Sequence, residues 1–481
     1  MAEASPPRRT VTVIDPRTGA KDFDLAVDGT AEVTAVADRL RANQPAWAAM
    51  SIEARCEVLG RWAALIGGKY RQPIIDADSR DTGGGQISRI APDMMLGVLR
   101  GLMAGAPAML AAAAREGTAR SNPAVSYRSV IKPYPLVGVI APWNAPTMLS
   151  MLHAIPPLFA GCAVLVKPSE VTPRHAEPIR ASIAEVPELA AIMDYVMGDG
   201  ETGQALVQVA DYISFTGSVP NGRRVAEACA RRLIPNDMEL GGKDPLVVLA
   251  SADLDDAVSA ALRGAVTSTG QVCFSIERIY VDRAVHDEFV ARLVQRARQI
   301  EINHPDPAIG QIGPFISRRQ AEIVDSHIDD AIAAGARIVE GGKSFDLDGG
   351  LYMRPTILTG VTNAMRIMRE ETFGPVMPVM AFKDAGEAVA LANDTEFGLS
   401  AAVMGGSEEE ALAVAARIDA GNVSVQDAFL TFHAAQAESD SFGASGTPRR
   451  SGLARYFRRQ ALLVNSAKPV CLTTELLQAA E

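Results

Sequence analysis

The sequence predicts an α/β protein with two successive blocks of strands and helices and a short β-ribbon set apart from both. From Leu136 onward, apolar strands alternate with helical segments, and after Asp253 the same alternation begins again. Such alternation is typical of parallel βαβ units. Between Arg120 and Pro135, β-forming residues alternate with polar ones and prolines close the segment, which predicts an exposed ribbon.

The predicted elements follow in a regular order. The chain starts with a hairpin, VTVIDPRTGAKDFDLAV, and continues with helices whose apolar residues recur at helical spacing around Val33 to Leu40 and Cys56 to Ile66. Further helices are expected from Pro146, from Thr172 and after Ser218, where Thr172 and Ser218 are favourable N-caps. The predicted strands are LVGVIAP, AVLVKP, MDYVMG, YISFTG, ERIYVD, VMPVMAF, SAAVMGG and a late ALLVN that we expect to pair with the ribbon.

Composition narrows the class of protein. At ~150 residues per domain, the 481 residues predict about three domains, and 48% hydrophobic residues suit a packed chain. A net charge of −11 argues against a nucleic-acid partner. The five cysteines lack the spacing of a disulfide framework or a zinc site, so we expect a cytoplasmic protein without metal. The longest apolar stretch, Pro146 to Val166, is broken by Pro156-Pro157 and Gly161-Cys162, so we expect a buried helix, a turn and a strand rather than a membrane span.

The strongest local signal for chemistry is TSTGQVCFS, in which Cys273 follows a Gly-Gln turn between a predicted helix and a predicted strand. A free cysteine is usually a small buried hydrophobe, and we assign that role to the other four cysteines. For Cys273, the neighbouring motifs favour a reactive thiol.

Two of these motifs supply polar partners. In MELGGKDP, Glu239 ends a predicted strand before a glycine pair, where a carboxylate can act as a general base or simply lie solvated at the strand end. In APWNAP, Asn144 can present its amide N–H to an oxyanion or can cap the helix that starts at Pro146.

The usual Gly-x-Gly-x-x-Gly dinucleotide fingerprint does not follow the first parallel strand. VLVKPSE nevertheless places Lys167 and Glu170 just after the second strand, where an acidic residue can accept hydrogen bonds from adenosine ribose hydroxyls. FTGSVPNG places Ser218 at a helix N-terminus, which suits a pyrophosphate. A solvated surface turn is the alternative for Lys167 and Glu170.

Seven motifs, APWN, LVKPSE, FTGS, ELGGK, GQVC, EETFGPV and FGASG, occur in the order found in the aldehyde dehydrogenase superfamily, and the chain resembles that family over nearly its whole length. The resemblance implies that Cys273 is the nucleophile, Glu239 the base for deacylation and Asn144 an oxyanion donor. It also implies a set of cofactor-binding residues: Lys167 and Glu170 for the adenosine ribose, Ser218 for the pyrophosphate, Glu371 and Phe373 for the nicotinamide ribose, with Trp143 nearby.

The same resemblance implies three structural parts and an assembly. A Rossmann-like cofactor domain would comprise residues 1–119 and 137–241, a catalytic domain residues 242–440, and a small β oligomerisation arm residues 120–136 and 460–474. Members of the family assemble as dimers or tetramers, so a homodimer or homotetramer is expected. Glu239 favours release of a free acid, because members that transfer the acyl group to coenzyme A resemble one another in lacking this glutamate.

The chain departs from the common pattern at His153, where many members carry a lysine nine positions after the motif asparagine. His153 can tune Glu239, or it can be a satisfied core histidine. The substrate pocket is expected to include Val272, Phe274, Phe429 and Phe432, with His153 as a further candidate. The phenyl rings favour an apolar or aromatic aldehyde. Arg128, Arg278 or His433 would instead serve a carboxylated semialdehyde.

These inferences converge on an aldehyde dehydrogenase that uses NAD rather than NADP, because Glu170 would repel a 2′-phosphate. Two other classes stay open from the sequence. A thiol esterase would use Cys273 and Glu239 without Glu371, and a non-catalytic descendant of the fold would need none of them.

Overall fold

The computed structural model describes residues 8–84, 86–431, 433, 437, 439–447 and 452–469. The described part of the chain starts with the predicted hairpin, followed by four helices and two strands of the ribbon. These elements are β1 (Thr10–Ile14), β2 (Lys21–Ala26), α1 (Thr30–Ala49), α2 (Ile52–Gly67), α3 (Arg71–Thr82), α4 (Gln86–Ala113), β3 (Glu116–Ala119) and β4 (Asn122–Pro133).

The first predicted block forms a five-stranded parallel sheet. Its elements are β5 (Leu136–Ile140), α5 (Pro146–Ala160), β6 (Ala163–Lys167), α6 (Ala176–Ala184), α7 (Pro187–Ala190), β7 (Met193–Tyr195), α8 (Gly200–Val209), β8 (Tyr212–Thr216), α9 (Val219–Arg232) and β9 (Asn236–Glu239). The strand order is β7-β6-β5-β8-β9. β5, β6 and β8 are buried along their whole length, as expected for strands covered by helices on both faces. The order reverses between β5 and β8, where ligands bind in open α/β sheets.

The second block forms a seven-stranded sheet in the order β12-β15-β16-β11-β10-β18-β19. The pairs are parallel except β12 with β15, which is antiparallel. Its elements are β10 (Asp244–Val248), α10 (Leu254–Val266), a 3₁₀ turn (Thr267–Gly270), β11 (Ile276–Asp282), α11 (His286–Ala297), α12 (Arg318–Ala333), β12 (Arg337–Glu340), β13 (Phe345–Leu347), β14 (Gly350–Tyr352), β15 (Thr356–Thr359), α13 (Arg366–Arg369), β16 (Val376–Phe382), α14 (Ala385–Asn393), β17 (Phe397–Gly398), β18 (Ser400–Met404), α15 (Glu408–Ala415), β19 (Asn422–Val425) and β20 (Phe442–Gly443).

The ribbon is a three-stranded antiparallel sheet that stands apart from both parallel sheets. After a 3₁₀ turn (Gly452–Tyr456), the last strand, β21 (Phe457–Asn465), pairs with β4, from Phe457 opposite Pro133 to Asn465 opposite Val125. The predicted pairing of ALLVN with the ribbon is confirmed. The ribbon differs from its predicted bounds because β3 belongs to it and β21 starts before residue 460. Residues 470–474 lie outside the described part of the chain.

Two further sequence predictions can be compared with the structure. The apolar stretch from Pro146 forms a buried helix, a turn at Gly161 and strand β6, as expected. The helix predicted from Thr172 instead begins at Ala176, because the Thr172 hydroxyl donates to the carbonyl of Trp143 at 3.0 Å rather than capping a helix. Separately, α4 contains one segment, Ile87–Ala113, that is long and apolar enough to cross a membrane by length and composition alone.

Candidate active site

The candidate residues of the first block lie where its parallel strands end. Asn144 follows β5, Lys167 is the last residue of β6, Ser218 follows β8 and Glu239 ends β9. Thr216 and Glu239 are register partners in neighbouring strands. Because carboxyl ends of parallel strands share one edge of the sheet, these residues gather at the crevice where the strand order reverses.

Cys273 lies in the loop between the 3₁₀ turn and β11 and is half-buried. The turn has an unusual backbone, since Ser268 and Thr269 both adopt positive φ, at 51° and 60°. Burial and the charges of the Glu239, Glu371 and Asp244 carboxylates raise the pKa of the Cys273 thiol, and the backbone N–H of Phe274 lowers it. These surroundings therefore disfavour the thiolate form of Cys273.

Asn144 is buried and tied to the cysteine loop. Its side-chain amide donates to the carbonyl oxygen of Gln271 at 2.9 Å, two residues before Cys273. An amide group carries two hydrogens, so one hydrogen holds the side chain against the loop while the other is the candidate oxyanion donor.

The glycine pair after Glu239 makes room for a second carboxylate. A Cβ on Gly241 would lie 2.4 Å from Oε2 of Glu371, and a Cβ on Gly242 would lie 2.6 Å from the carbonyl oxygen of Cys273. The N–H of Gly242 donates to Oε1 of Glu371 at 3.3 Å. Burial, and the charge of Glu277, raise the pKa of Glu371 to about 8. Only glycine allows the strand end, the thiol loop and Glu371 to approach this closely.

The two aromatic residues predicted to lie near the cofactor are in contact with each other. The rings of Trp143 and Phe373 form an edge-to-face contact with centroids 5.4 Å apart. Phe373 has a φ of 56°, in the left-handed region that non-glycine residues rarely adopt.

The groups on the first sheet suit a dinucleotide. Nζ of Lys167 donates to the Glu170 carboxylate at 3.1 Å. Glu170 also lines a cavity of about 430 Å³, together with Arg318 and Arg319. Ser218 is exposed at the start of α9. A Cβ on Gly222 would lie 2.4 Å from Leu240, so α9 packs tightly against β9, as in dinucleotide-binding folds. Carboxylates for ribose hydroxyls and a helix N-terminus for a pyrophosphate are the donors and acceptors that a nicotinamide dinucleotide needs.

Three of the residues predicted for the substrate pocket lie close to Cys273 in space or in sequence. The rings of Phe274 and Phe429 pack with centroids 4.3 Å apart, and Val272, the residue before Cys273, is buried. Phe432 lies outside the described residues. A separate apolar cluster follows Asn144: Ala145, Met148 and Leu149 of the α5 region pack with Ile87, Met94 and Leu152.

His153 belongs to a buried polar cluster rather than to the apolar cluster that follows Asn144. It is 3% exposed, with Nε2 2.9 Å from the Thr216 hydroxyl and Nδ1 3.6 Å from Oδ2 of Asp237. Asp237 in turn accepts from Ser214 at 2.7 Å. The ring nitrogens of His153 therefore face β8 and β9, which favours the alternative of a satisfied core histidine.

Three buried charged residues at the site were not predicted as functional. Asp244 accepts a hydrogen bond from Ser400, and burial raises its pKa to about 8. Lys243 and Glu277 form a buried ion pair with Nζ and Oε2 2.6 Å apart. Lys243 is the last residue of the ELGGK motif, so the sequence could have indicated that it belongs to the site. The residues around Glu277 contain no motif that indicates a functional role.

A cysteine beside an amide donor and two carboxylates, at the edge of a sheet suited to a dinucleotide, is typical of enzymes that oxidise a substrate while it is bound to sulfur. The aldehyde dehydrogenase family model matches residues 2–461, and the chain belongs to this family. Its activity is accordingly the oxidation of aldehydes.

Relatives and solved structures agree on the family. A provisionally named succinate-semialdehyde dehydrogenase, described as NADP(+)-dependent, from Mycolicibacterium smegmatis is 38% identical over 94% of this chain and 89% of its own length. The 4,4'-diapolycopene aldehyde oxidase of a Methylomonas species is 39% identical over 76% of this chain and 67% of its own length. A provisionally named aldehyde dehydrogenase, PutA of Anabaena variabilis, superposes with a TM-score of 0.92 at 43% identity, covering 96% of this chain and 99% of its own. The betaine aldehyde dehydrogenase of Staphylococcus aureus in complex with NAD+ gives 0.89 at 29% identity, covering 96% and 93%.

Proposed function

We propose that the protein oxidises an apolar aldehyde to its carboxylic acid with NAD, using Cys273 as the nucleophile, Glu239 as the base and Asn144 as an oxyanion donor. The observation that carries this proposal is the convergence at the glycine pair, where the Cys273 loop, the end of β9 and Glu371 meet at distances that only glycine permits.

The chemistry follows from these side chains. The Cys273 thiol loses its proton to solvent water, the sulfur bonds to the aldehyde carbon, and the carbonyl oxygen becomes an oxyanion that the second Asn144 amide hydrogen and the Cys273 backbone N–H stabilise. Removing one such donor typically costs about 3 kcal/mol of transition-state stabilisation. NAD, when bound, accepts the hydride that leaves the same carbon. Glu239 then takes a proton from the water that attacks the resulting thioester, a role worth ~10²–10⁴-fold in rate, and the acid leaves as the thiol re-forms.

The residues around the thiol support an apolar substrate over a carboxylated one. Phe274 and Phe429 pack beside the nucleophile, and an apolar cluster follows Asn144. Arg278 is fully buried and donates to the backbone carbonyls of Lys243 and Ala392 at 2.7 and 2.8 Å. Arg128 lies on β4 of the ribbon, 3.8 Å from Glu116, and His433 is exposed. We therefore rank an apolar aldehyde above a semialdehyde as the substrate. The semialdehyde is the second candidate because the name of the M. smegmatis relative favours it.

NAD is favoured over NADP by the Glu170 carboxylate, which Lys167 holds near the adenosine ribose site. NADP is the second candidate because Arg318 and Arg319 line the same cavity and some relatives carry NADP(+) in their names. The test is kcat/KM with each cofactor, for the wild type and for Glu170→Gln. We expect wild-type preference for NAD and a relative gain for NADP in the variant. Equal use of both cofactors by the wild type would remove Glu170 as the discriminating group.

The aldehyde and the hydrolytic outcome are tested together. NADH formation is measured with long aliphatic, aromatic and carboxylated aldehydes, with and without coenzyme A, and Cys273→Ala serves as the control. We expect the apolar aldehydes to give the highest kcat/KM and coenzyme A to have no effect. Preference for a carboxylated aldehyde would instead support the semialdehyde alternative.

The ribbon supports a homo-oligomer. Leu462, Leu463 and Val464 of β21 are exposed, Leu463 to 71%, which is unusual for an apolar strand at the edge of a sheet. We expect light scattering to give a dimer or tetramer mass and Leu463→Glu to lower it.

A further inference from the structure

A buried carboxylate downstream of the nucleophile contacts the loop that carries the candidate nicotinamide-ribose residues. Glu277 lies in β11, four residues after Cys273, and is 2% exposed. Its Oε2 accepts the backbone N–H of Thr372 at 2.7 Å, and its Oε1 accepts the backbone N–H of Phe373 at 2.7 Å. One side chain therefore engages two successive peptide groups of this loop through both of its oxygens.

Lys243 joins this contact to the glycine pair. Its ammonium group lies 2.6 Å from Oε2 of Glu277 and donates to the Thr372 hydroxyl at 2.9 Å. Lys243 is 1% exposed, and burial lowers its pKa. A buried ion pair contributes little net stability, because desolvation offsets the attraction. Its main consequence here is geometric, since three separate segments of the chain are fixed to one another.

The geometry explains the strained backbone of Phe373. Its φ of 56° costs roughly 1–2 kcal/mol for a residue with a Cβ, and the Glu277 bond to its N–H opposes relaxation. On the other side of Thr372, the Glu371 carboxylate is held by the N–H of Gly242 and by contact with Gly241. Glu371 and Phe373 are thus fixed relative to the strand that leaves Cys273.

We propose that Glu277, together with Lys243, is a positioning residue that places Glu371 and Phe373 at the correct distance from the Cys273 thiol for cofactor binding. The inference rests on the proposed function, because it assumes that Glu371 and Phe373 contact the nicotinamide ribose. Glu277 itself does not touch the reacting atoms.

The test is Glu277→Gln, which keeps the size of the side chain but replaces one acceptor oxygen with an NH₂ group facing a backbone N–H. The matched control is Glu370→Gln. Glu370 neighbours the same loop, but its carboxylate pairs with Arg366 at 2.9 Å and is half-exposed. Three quantities are measured: the Kd for NADH by its fluorescence, the KM for NAD, and hydrolysis of p-nitrophenyl acetate without cofactor, which needs only the thiol and its base.

We expect Glu277→Gln to raise the Kd for NADH and the KM for NAD by about tenfold or more, the factor that corresponds to 1.4 kcal/mol. Ester hydrolysis should stay within about twofold, since the Glu277 carboxylate bonds to Lys243 and to the 372–373 backbone rather than to the groups that carry out that reaction. Glu370→Gln should change none of the three. If Glu277→Gln does not fold, Thr372→Val, which removes the hydroxyl contacts with Lys243 and His327 but leaves the Glu277 carboxylate in place, should raise the same two cofactor constants by a smaller factor.

Two results would overturn the inference: unchanged NADH binding in folded Glu277→Gln, or ester hydrolysis that falls in parallel with cofactor affinity. Failure of the proposed function gives a different result, namely a wild type that binds NADH but reduces no NAD with any aldehyde. A wild type that binds no nicotinamide dinucleotide would overturn both.

Discussion

At Cys273, the surrounding charges oppose ionisation of the thiol. Burial contributes most, and the charges of Glu239 and, above about pH 8 where they ionise, of Glu371 and Asp244 raise its pKa further. The sequence offered no nearby cation to lower that pKa, and the structure adds carboxylates instead. If Cys273 acts as the proposed nucleophile, we expect the bound cofactor and substrate to supply the groups that activate its thiol.

The first prediction concerns the charge of Glu239. In Glu239→Gln, the Cys273 thiol should react with iodoacetamide about tenfold faster at pH 8, because removing one nearby negative charge lowers its pKa. Glu288→Gln, an exposed change on α11, is the control and should have no effect. Slower alkylation in Glu239→Gln would show instead that Glu239 deprotonates the thiol.

The second prediction concerns Glu371, whose pKa is raised to about 8. Below that pH the carboxyl is neutral, and above it the carboxylate accepts stronger hydrogen bonds from ribose hydroxyls. The affinity for NAD should therefore rise several-fold between pH 7 and 9, because binding favours the ionised form. Isothermal titration across this range checks the slope, and Glu371→Gln should flatten it. An unchanged slope in the variant would assign the pH dependence to another group.

At the scale of single residues, the sequence pointed to Cys273, Asn144 and Glu239, since each lies in a short motif next to a strand end. Glu277 was missed because its importance comes from a contact with residues 372 and 373, which are 95 and 96 positions away in the chain. For His153 both interpretations stayed open for a related reason: helical spacing does not show which side of α5 contacts Asp237.

At the scale of elements, close packing of helix α9 on strand β9 supports the Ser218 end of the cofactor site. That packing depends on Gly222, where a Cβ would lie 2.4 Å from Leu240, the residue after Glu239. A shift of α9 would therefore move both the pyrophosphate donors and the candidate base.

The third prediction follows from this contact. Gly222→Ala should lower the free energy of unfolding by about 1–3 kcal/mol, as overpacking does, and should raise the KM for NAD. Gly97→Ala is the control in α4, where an added Cβ meets nothing within 4 Å, and it should stabilise by up to ~1 kcal/mol. Urea unfolding of both variants measures the difference. A Gly222→Ala protein as stable as the Gly97→Ala protein would contradict the packing argument.

Most strands were predictable because they are continuous apolar runs, and some helices start at a side-chain cap, such as Asp253 before α10 and Ser407 before α15. The start of α6 was not predictable: it begins four residues after Thr172, because tertiary partners bind the polar groups that would otherwise start it. The Thr172 hydroxyl binds Trp143, and the backbone N–H of Arg174 binds Asp81 at 2.7 Å. Local sequence does not contain those partners.

At the scale of the whole molecule, the candidate site lies between the two parallel sheets. Asn144 and Glu239 come from the five-stranded sheet, while Cys273 leads into β11 of the seven-stranded sheet. Neither sheet by itself carries all three candidates for nucleophile, oxyanion donor and base. The order of motifs along the chain indicated that residues from both sheets form the site. Only the folded structure shows that the glycine pair, Gly241 and Gly242, lets the two sheets approach there.

The central claim is that oxidation proceeds through a thioester on Cys273 that Glu239 helps to hydrolyse. The most direct test is rapid mixing of Glu239→Gln with NAD and an excess of the best aldehyde, with NADH followed by absorbance. We expect a burst of one NADH per active site and then turnover slowed by ~10²-fold or more, and no burst from Cys273→Ala. Normal steady-state turnover in Glu239→Gln, or a burst from Cys273→Ala, would contradict the account.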